Sequence, residues 1–181
     1  MRYLSVILFV LFSTSCEHLG YLANKNQITK IEFASGECYG HCQQIALSID
    51  STLTFNYYGG RNATLKGYYS GTISEAVWDT LNRSLDAIYY KGQTDGRCAI
   101  DDQAVELIIY QHNKAIHINC TLNDLPDSTK KIILQLKSIS GSIKLRHIKE
   151  TLKFETTYQN QDPPHPKLKQ IKFPPPNNNK H

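Results

Sequence analysis

The sequence predicts an α+β fold, an antiparallel sheet of about six strands with two helices packed on one face, forming a two-layer sandwich. Three observations predict it. Apolar and polar residues alternate with period two through four successive segments and again through two later ones. Two other segments carry apolar residues at helical spacing. The order four strands, helix, two strands, helix buries one sheet face best when both helices lie against it.

The domain is placed at residues 27–141. In its first strand Ile31 and Phe33 face one way and Lys30 and Glu32 the other. Ile45, Leu47 and Ile49 repeat the alternation. Asp50-Ser51-Thr52 turns, and Leu53, Phe55 and Tyr57 run back, which makes a hairpin. Gly59-Gly60-Arg61-Asn62 is a loop, and residues 65–73 form a fourth strand containing Tyr68-Tyr69. Val77, Leu81, Leu85 and Ile88 then take helical spacing. Thr72 or Ser74 caps the start, and Glu75 stands three residues after Thr72, as a capping box requires. A polar loop crosses Thr94-Asp95-Gly96. Residues 105–110 and 114–120 pair around His112-Asn113. Pro126 suits the first turn of a second helix, Ile132, Ile133, Leu136 and Ile139 form its buried face, and Gly141 stops it. Residues 142–158 are the place for an extra strand.

The 181 residues carry a net charge of +4, 40% hydrophobic and 20% charged residues. These values exclude wholesale disorder and a multi-span membrane protein. The charge is unevenly placed: residues 16–139 are slightly acidic, and residues 140–181 carry a net +5. Six of the seven prolines lie in the tail, residues 159–181, which has few apolar residues and no periodicity and is expected to be disordered. At the other end, residues 3–12 form an apolar run after Arg2, too short to span a bilayer but suited to a signal peptide. The following L-F-S-T-S-C is similar to a bacterial lipobox. That resemblance implies cleavage before Cys16 and attachment of acyl chains, palmitate among them, to its thiol, with residues 16–26 as a tether. Two or more chains give a stable membrane anchor. The expected location is therefore the bacterial cell envelope, on the periplasmic or cell-surface side.

Four cysteines remain, and export makes bridges plausible. Four allow three pairings. Gly40 lets the backbone bend between Cys38 and Cys42, so the preferred pairing is Cys38–Cys42 with Cys98–Cys120. A zinc site using Cys38, His41 and Cys42 fits poorly, because structural zinc takes two separated ligand pairs. Redox chemistry at Cys38 and Cys42 is the alternative reading, although the motif has one residue more than C-x-x-C and lies between strands.

The chain resembles the family called domain of unknown function 6438 over residues 31–139. Cys38-Tyr39-Gly40-His41-Cys42 carries its C-aromatic-G-x-C motif, and Thr94-Asp95 matches its second marker. The family continues with proline and then an aromatic, where this chain has Gln43 and Ile45, and Cys98 and Cys120 lie outside its pattern. The resemblance implies an exported bacterial lipoprotein of this fold and implies no activity.

No G-x-S-x-G, H-E-x-x-H, P-loop or dinucleotide fingerprint occurs, so neither a catalytic residue nor a cofactor nor a metal is expected. Asp95, Asp101 and Asp102 are taken as a solvated loop, and His117 as outward-facing. Nucleic acid is not an expected partner, since the basic residues concentrate in the tail. The candidate binding surface is Tyr58, Gly59, Gly60, Arg61, Asn62 and Tyr68, where outward tyrosines offer a stacking surface to a sugar or peptide. The expected function is thus a non-enzymatic envelope lipoprotein binding a protein or glycan.

Overall fold

The computed structural model describes residues 28–36, 38, 40–88, 102–112 and 114–158. The leader and tether, Tyr89-Tyr90, Thr94-Asp95, Cys98, Asp101 and the proline-rich tail lie outside these residues. Seven strands form one antiparallel sheet in the order β6-β5-β1-β2-β3-β4-β7. They are β1 (Ile28–Ser35), β2 (Ile45–Asp50), β3 (Thr54–Gly59), β4 (Gly67–Thr72), β5 (Ala104–Gln111), β6 (Lys114–Thr121) and β7 (Arg146–Ile148). Helix α1 (Glu75–Asp86) joins β4 to β5. Helix α2 (Asp127–Ser142) follows a 3-10 turn at Leu122–Asp124. The expected α+β sandwich is present, with seven strands where about six were expected. The seventh is three residues long and falls in the 142–158 stretch.

The core is the face that alternation predicts. Ile31, Phe33, Leu47, Ile49, Phe55, Leu107, Ile109 and Ile118 are buried on the sheet, against Leu81 and Leu85 of α1 and Ile132, Ile133, Leu136 and Ile139 of α2. Ser74 caps α1, its hydroxyl accepting from the Val77 amide at 3.4 Å, so the Thr72 capping box does not form; Thr72 closes β4 instead. Pro126 is the N-cap of α2 rather than a first-turn residue, and its carbonyl accepts from the Lys130 amide. Gly141 does not stop the helix. The helix runs one residue further and ends where Ile143 becomes extended, which lets Ile143 and Leu145 pack against the core.

The opposite face departs from a two-layer picture. Alternation places Lys30, Glu32, Ala34, Ala46, Ser48, Glu106, Ile108, His117 and Asn119 there. Yet Glu32 is 0% and Glu106 1% exposed, and Ala34, Ala46, Ser48 and Ile108 are buried with them. The cover comes from the chain after β7. Residues 149–158 return across this face as a strap. The Glu155 and Thr156 amides donate to Glu32 Oε2 at 2.7 and 3.3 Å. The Thr157 amide and hydroxyl donate to Glu106 Oε2 at 2.7 and 3.1 Å. Tyr158 reaches Asn119 Oδ1 across β6 and lies against Gly36. The remaining oxygens meet the Lys30 ammonium, its Nζ 2.5 Å from Glu32 Oε1, and the His117 imidazole, its Nε2 2.7 Å from Glu106 Oε1. His117 is outward-facing as expected, and it serves this pair. Glu32 is not the solvated residue that alternation implies, because two strap amides and the Lys30 ammonium stand where water would around its carboxylate.

Candidate functional site

The two loops at one end of the sheet are assembled by backbone contacts. Cys38 and Cys42 form a disulfide with Cα atoms 5.5 Å apart. The Gly40 amide folds back on Cys38 Sγ at 3.3 Å. Below the bridge, the Gln43 carbonyl accepts from Ser35 Oγ at 2.8 Å and Gln103 Nε2 at 2.9 Å. Gln103 also donates to the Gly36 carbonyl at 3.2 Å and accepts from Lys137 Nζ at 2.9 Å. This polar knot fixes the base of the disulfide loop against the sheet. Lys137 is half-buried there, its ammonium 5.8 Å from the Phe33 ring centroid, and desolvation pushes its pKa below the usual lysine value.

The second loop leans on the first. Gln44 accepts at its carbonyl from the Gly60 amide and at Oε1 from the Arg61 amide, while its own amide donates to the Arg61 carbonyl. Asn62, in the left-handed region at φ 58°, donates from Nδ2 to the Cys42 carbonyl at 3.4 Å. Gln43 Nε2 donates to Thr64 Oγ1 at 3.3 Å. Sequence reasoning treated the disulfide and the Gly59-to-Asn62 loop as separate features. The structure makes them one rim, with His41, Gln43, Arg61, Asn62 and Thr64 exposed on it.

Gly59 and Gly60 serve this packing rather than offering surface. A Cβ at Gly59 would stand 1.7 Å from the Leu65 carbonyl oxygen, and one at Gly60 would stand 2.2 Å from Gln44 Oε1. Beside the rim, Tyr58 and Tyr68 are cross-strand partners with ring centroids 4.9 Å apart at 34°. Both are half-buried, and both lie on the face the strap crosses. Burial first, then Tyr68, raises the Tyr58 hydroxyl above its ordinary pKa. The alternate pair, Tyr57 and Tyr69, points into the core as alternation predicts. Burial and then Tyr69 push Tyr57 up to about 12.

The strap anchorage was missed in the sequence, although Glu106 stands as one charge within the apolar V-E-L-I-I-Y of a central strand. Tyr110 belongs to the same cluster. Lys30 Nζ lies 5.0 Å from its ring, and burial, then Glu155 beside it, raises its hydroxyl. Cys120 is buried in β6 on the core side; its expected partner Cys98 lies outside the described residues. Asp102 is no solvated acid. Its two oxygens accept from the Gln103 and Asn123 amides at 2.8 and 2.7 Å, tying β5 to the 3-10 turn. Among the described residues no group of three or more His, Cys, Asp or Glu is placed to hold a metal, and no helix is long and apolar enough to cross a membrane.

No curated protein matches the chain. A family model does, over residues 29–140, spanning β1 to the last turn of α2 and stopping short of β7 and the strap. With the disulfide motif, six of the seven strands, α1 and nearly all of α2 inside the match, the chain belongs to the family described as domain of unknown function (DUF6438).

Proposed function

We propose that this protein is an exported lipoprotein of the bacterial envelope, held to a membrane by acyl chains on Cys16, and that its domain is a binding module for a protein or glycan. The leader supports the anchor: an apolar run, small residues and then Cys16. The observation that carries the binding role is the Tyr58–Tyr68 pair beside exposed Arg61 and Asn62. Rigid aromatic surface next to adaptable polar groups is the composition of recognition surfaces, and loop 59–62 is held in place by Gln44 and Cys42.

The test is in-cell photocrosslinking from position 61, with identification of the captured protein or glycan. Capture should fall when Tyr58 and Tyr68 are both changed to Ala, and capture indifferent to them would refute the surface. A fatty-acid probe should label the wild type and not Cys16→Ala; equal labelling would refute the anchor. Thiol redox chemistry at Cys38 and Cys42 is the second reading. It is favoured by one contact, the Gly40 amide on Cys38 Sγ, which would stabilise a thiolate there. Alkylation of exported protein decides it, since a permanently bridged pair leaves no nucleophile.

A further inference from the structure

The chain leaving α2 reads I-K-L-R-H-I-K over residues 143–149, four basic residues in seven with no acid among them. Ile143 and Leu145 pack against the core. Lys144 and Arg146, alternating with them, are exposed. β7 sets Arg146 opposite Ser70 of β4. The approach is close: a Cβ at Gly71 would stand 2.8 Å from the Lys144 carbonyl oxygen and 3.0 Å from Leu145 Cδ2. The result is an open cleft of about 440 Å³ lined by Ser70, Gly71, Thr72, Lys144 and Arg146. It holds two cations and two hydroxyls and no carboxylate. Among the described residues the ion pairs engage Lys30, His117 and Lys130, and neither Lys144 nor Arg146.

We propose that this cleft is a binding site for a phosphate group. A guanidinium fork grips two phosphate oxygens, an ammonium adds a point charge, and the hydroxyls complete the donor set. The open side admits a phosphate attached to a larger body. Two sources share this chemistry, the headgroup of an anionic phospholipid and a soluble phosphate ester. The placement favours the headgroup. Thr72 pairs with Thr54 at the sheet end where Asp50 pairs with Lys30 and Ile28 begins β1. The cleft therefore lies at the end where the chain arrives from Cys16. The headgroup source rests on the anchor reading; the phosphate site does not.

The test uses the full chain carrying Cys16→Ala, so that no acyl chain contributes to binding. Inorganic phosphate and glycerol phosphate are titrated while the Ser70, Gly71 and Thr72 amides are followed by NMR. Vesicle flotation is measured on phosphatidylcholine alone and mixed with phosphatidylglycerol. Each basic residue near an anionic surface is worth about fivefold in affinity, so Lys144→Gln with Arg146→Gln should weaken binding about 25-fold. The basic tail is unchanged in every variant and cancels from the comparison. Lys131→Glu, which lowers the charge by the same two units on exposed α2 surface, serves as control. If the vesicle arm loses binding in the double variant, the headgroup is the source. Loss confined to the soluble phosphates makes it a soluble ester. The site is overturned if the double variant matches the wild type in both arms, or if Lys131→Glu weakens binding as much.

Discussion

Glu32→Gln tests whether the strap is held by buried charge. Glu32 Oε2 accepts two strap amides and Oε1 faces the Lys30 ammonium, in a site with 0% exposure. A carboxamide must turn its NH2 toward one of these. Against the amides it sets donor on donor, and against Lys30 it sets donor on cation. Lys30 has no acceptor to offer, so the conflict has no escape. Hydrogen bonds to charged acceptors are worth about 1.5–3 kcal/mol and neutral ones about 0.5–1.5. Weakening two of them while losing the ion pair costs about 2–3 kcal/mol, which raises strap opening about 30- to 150-fold.

The assay is native-state hydrogen exchange at the Glu155, Thr156 and Thr157 amides, with Leu107 and Phe33 as core references. Acceleration confined to the strap is expected. Glu106→Gln should cost less, about 1 kcal/mol. Its carboxamide can donate to His117, whose imidazole can present an acceptor nitrogen, while its oxygen still serves Thr157. Strap exchange unchanged by Glu32→Gln would refute the reasoning, and so would equal acceleration in the core.

Three further outcomes follow from the same geometry. Tyr57 is neutral in both states below pH 10, but its folded-state value of about 12 means that only the unfolded chain ionises between those limits. Stability should therefore fall as pH rises through that window, by up to about 3 kcal/mol, more steeply in the wild type than in Tyr57→Phe by thermal denaturation; parallel losses would contradict it. Replacing Cys38 and Cys42 together by Ser opens a loop of sequence separation 4 and should cost about 2 kcal/mol in urea unfolding. An unshifted midpoint counts against that figure. Gly59→Ala should cost more than about 3 kcal/mol, since its methyl would stand 1.7 Å from the Leu65 carbonyl oxygen, whereas Gly40→Ala, with Cys38 Sγ at 3.7 Å, should be near neutral; equal soluble yields and midpoints would remove the distinction.

What alternation can reveal is which residues share a face, and here it placed Ile31 with Phe33, Ile45 with Leu47, and Tyr57 apart from Tyr58. It cannot reveal what covers a face. Glu32 and Glu106 sit at polar-phase positions, so their burial depends on a strap arriving from 123 residues beyond Glu32 and 51 beyond Glu106 in sequence. That strap has no periodic signature, because three of its contacts are backbone amides, which every residue but proline carries. Gly141 failed as a stop because a helix end is set by where the following chain must go, and Ile143 and Leu145 had to reach the core. The rim was legible only in halves. Both the C-x-G-x-C segment and the Gly-Gly loop were visible, but their joining depends on Gln44, whose type says nothing of its role.

The ends of β1 order the molecule along one axis. Ile28 opens β1 beside Gln111, and Ser35 closes it between Ile45 and Val105. Gly59 pairs with Ile45, so the disulfide, Arg61 and Asn62 belong to the Ser35 end, while Thr72, Asp50 and the phosphate cleft belong to the Ile28 end. Eight residues of strand separate the two by about 23 Å. The described chain begins at Ile28, so the basic cleft lies at the entry end of β1 and the loop rim at its far end. The strap adds to this polarity, since Tyr158 ends against Gly36 at the rim end. Buried ion pairs are poor sources of stability and good sources of register. Glu32 and Glu106 act in that way here: by gripping amides at fixed positions of the strap, they determine at which end of the sheet the last described residue emerges.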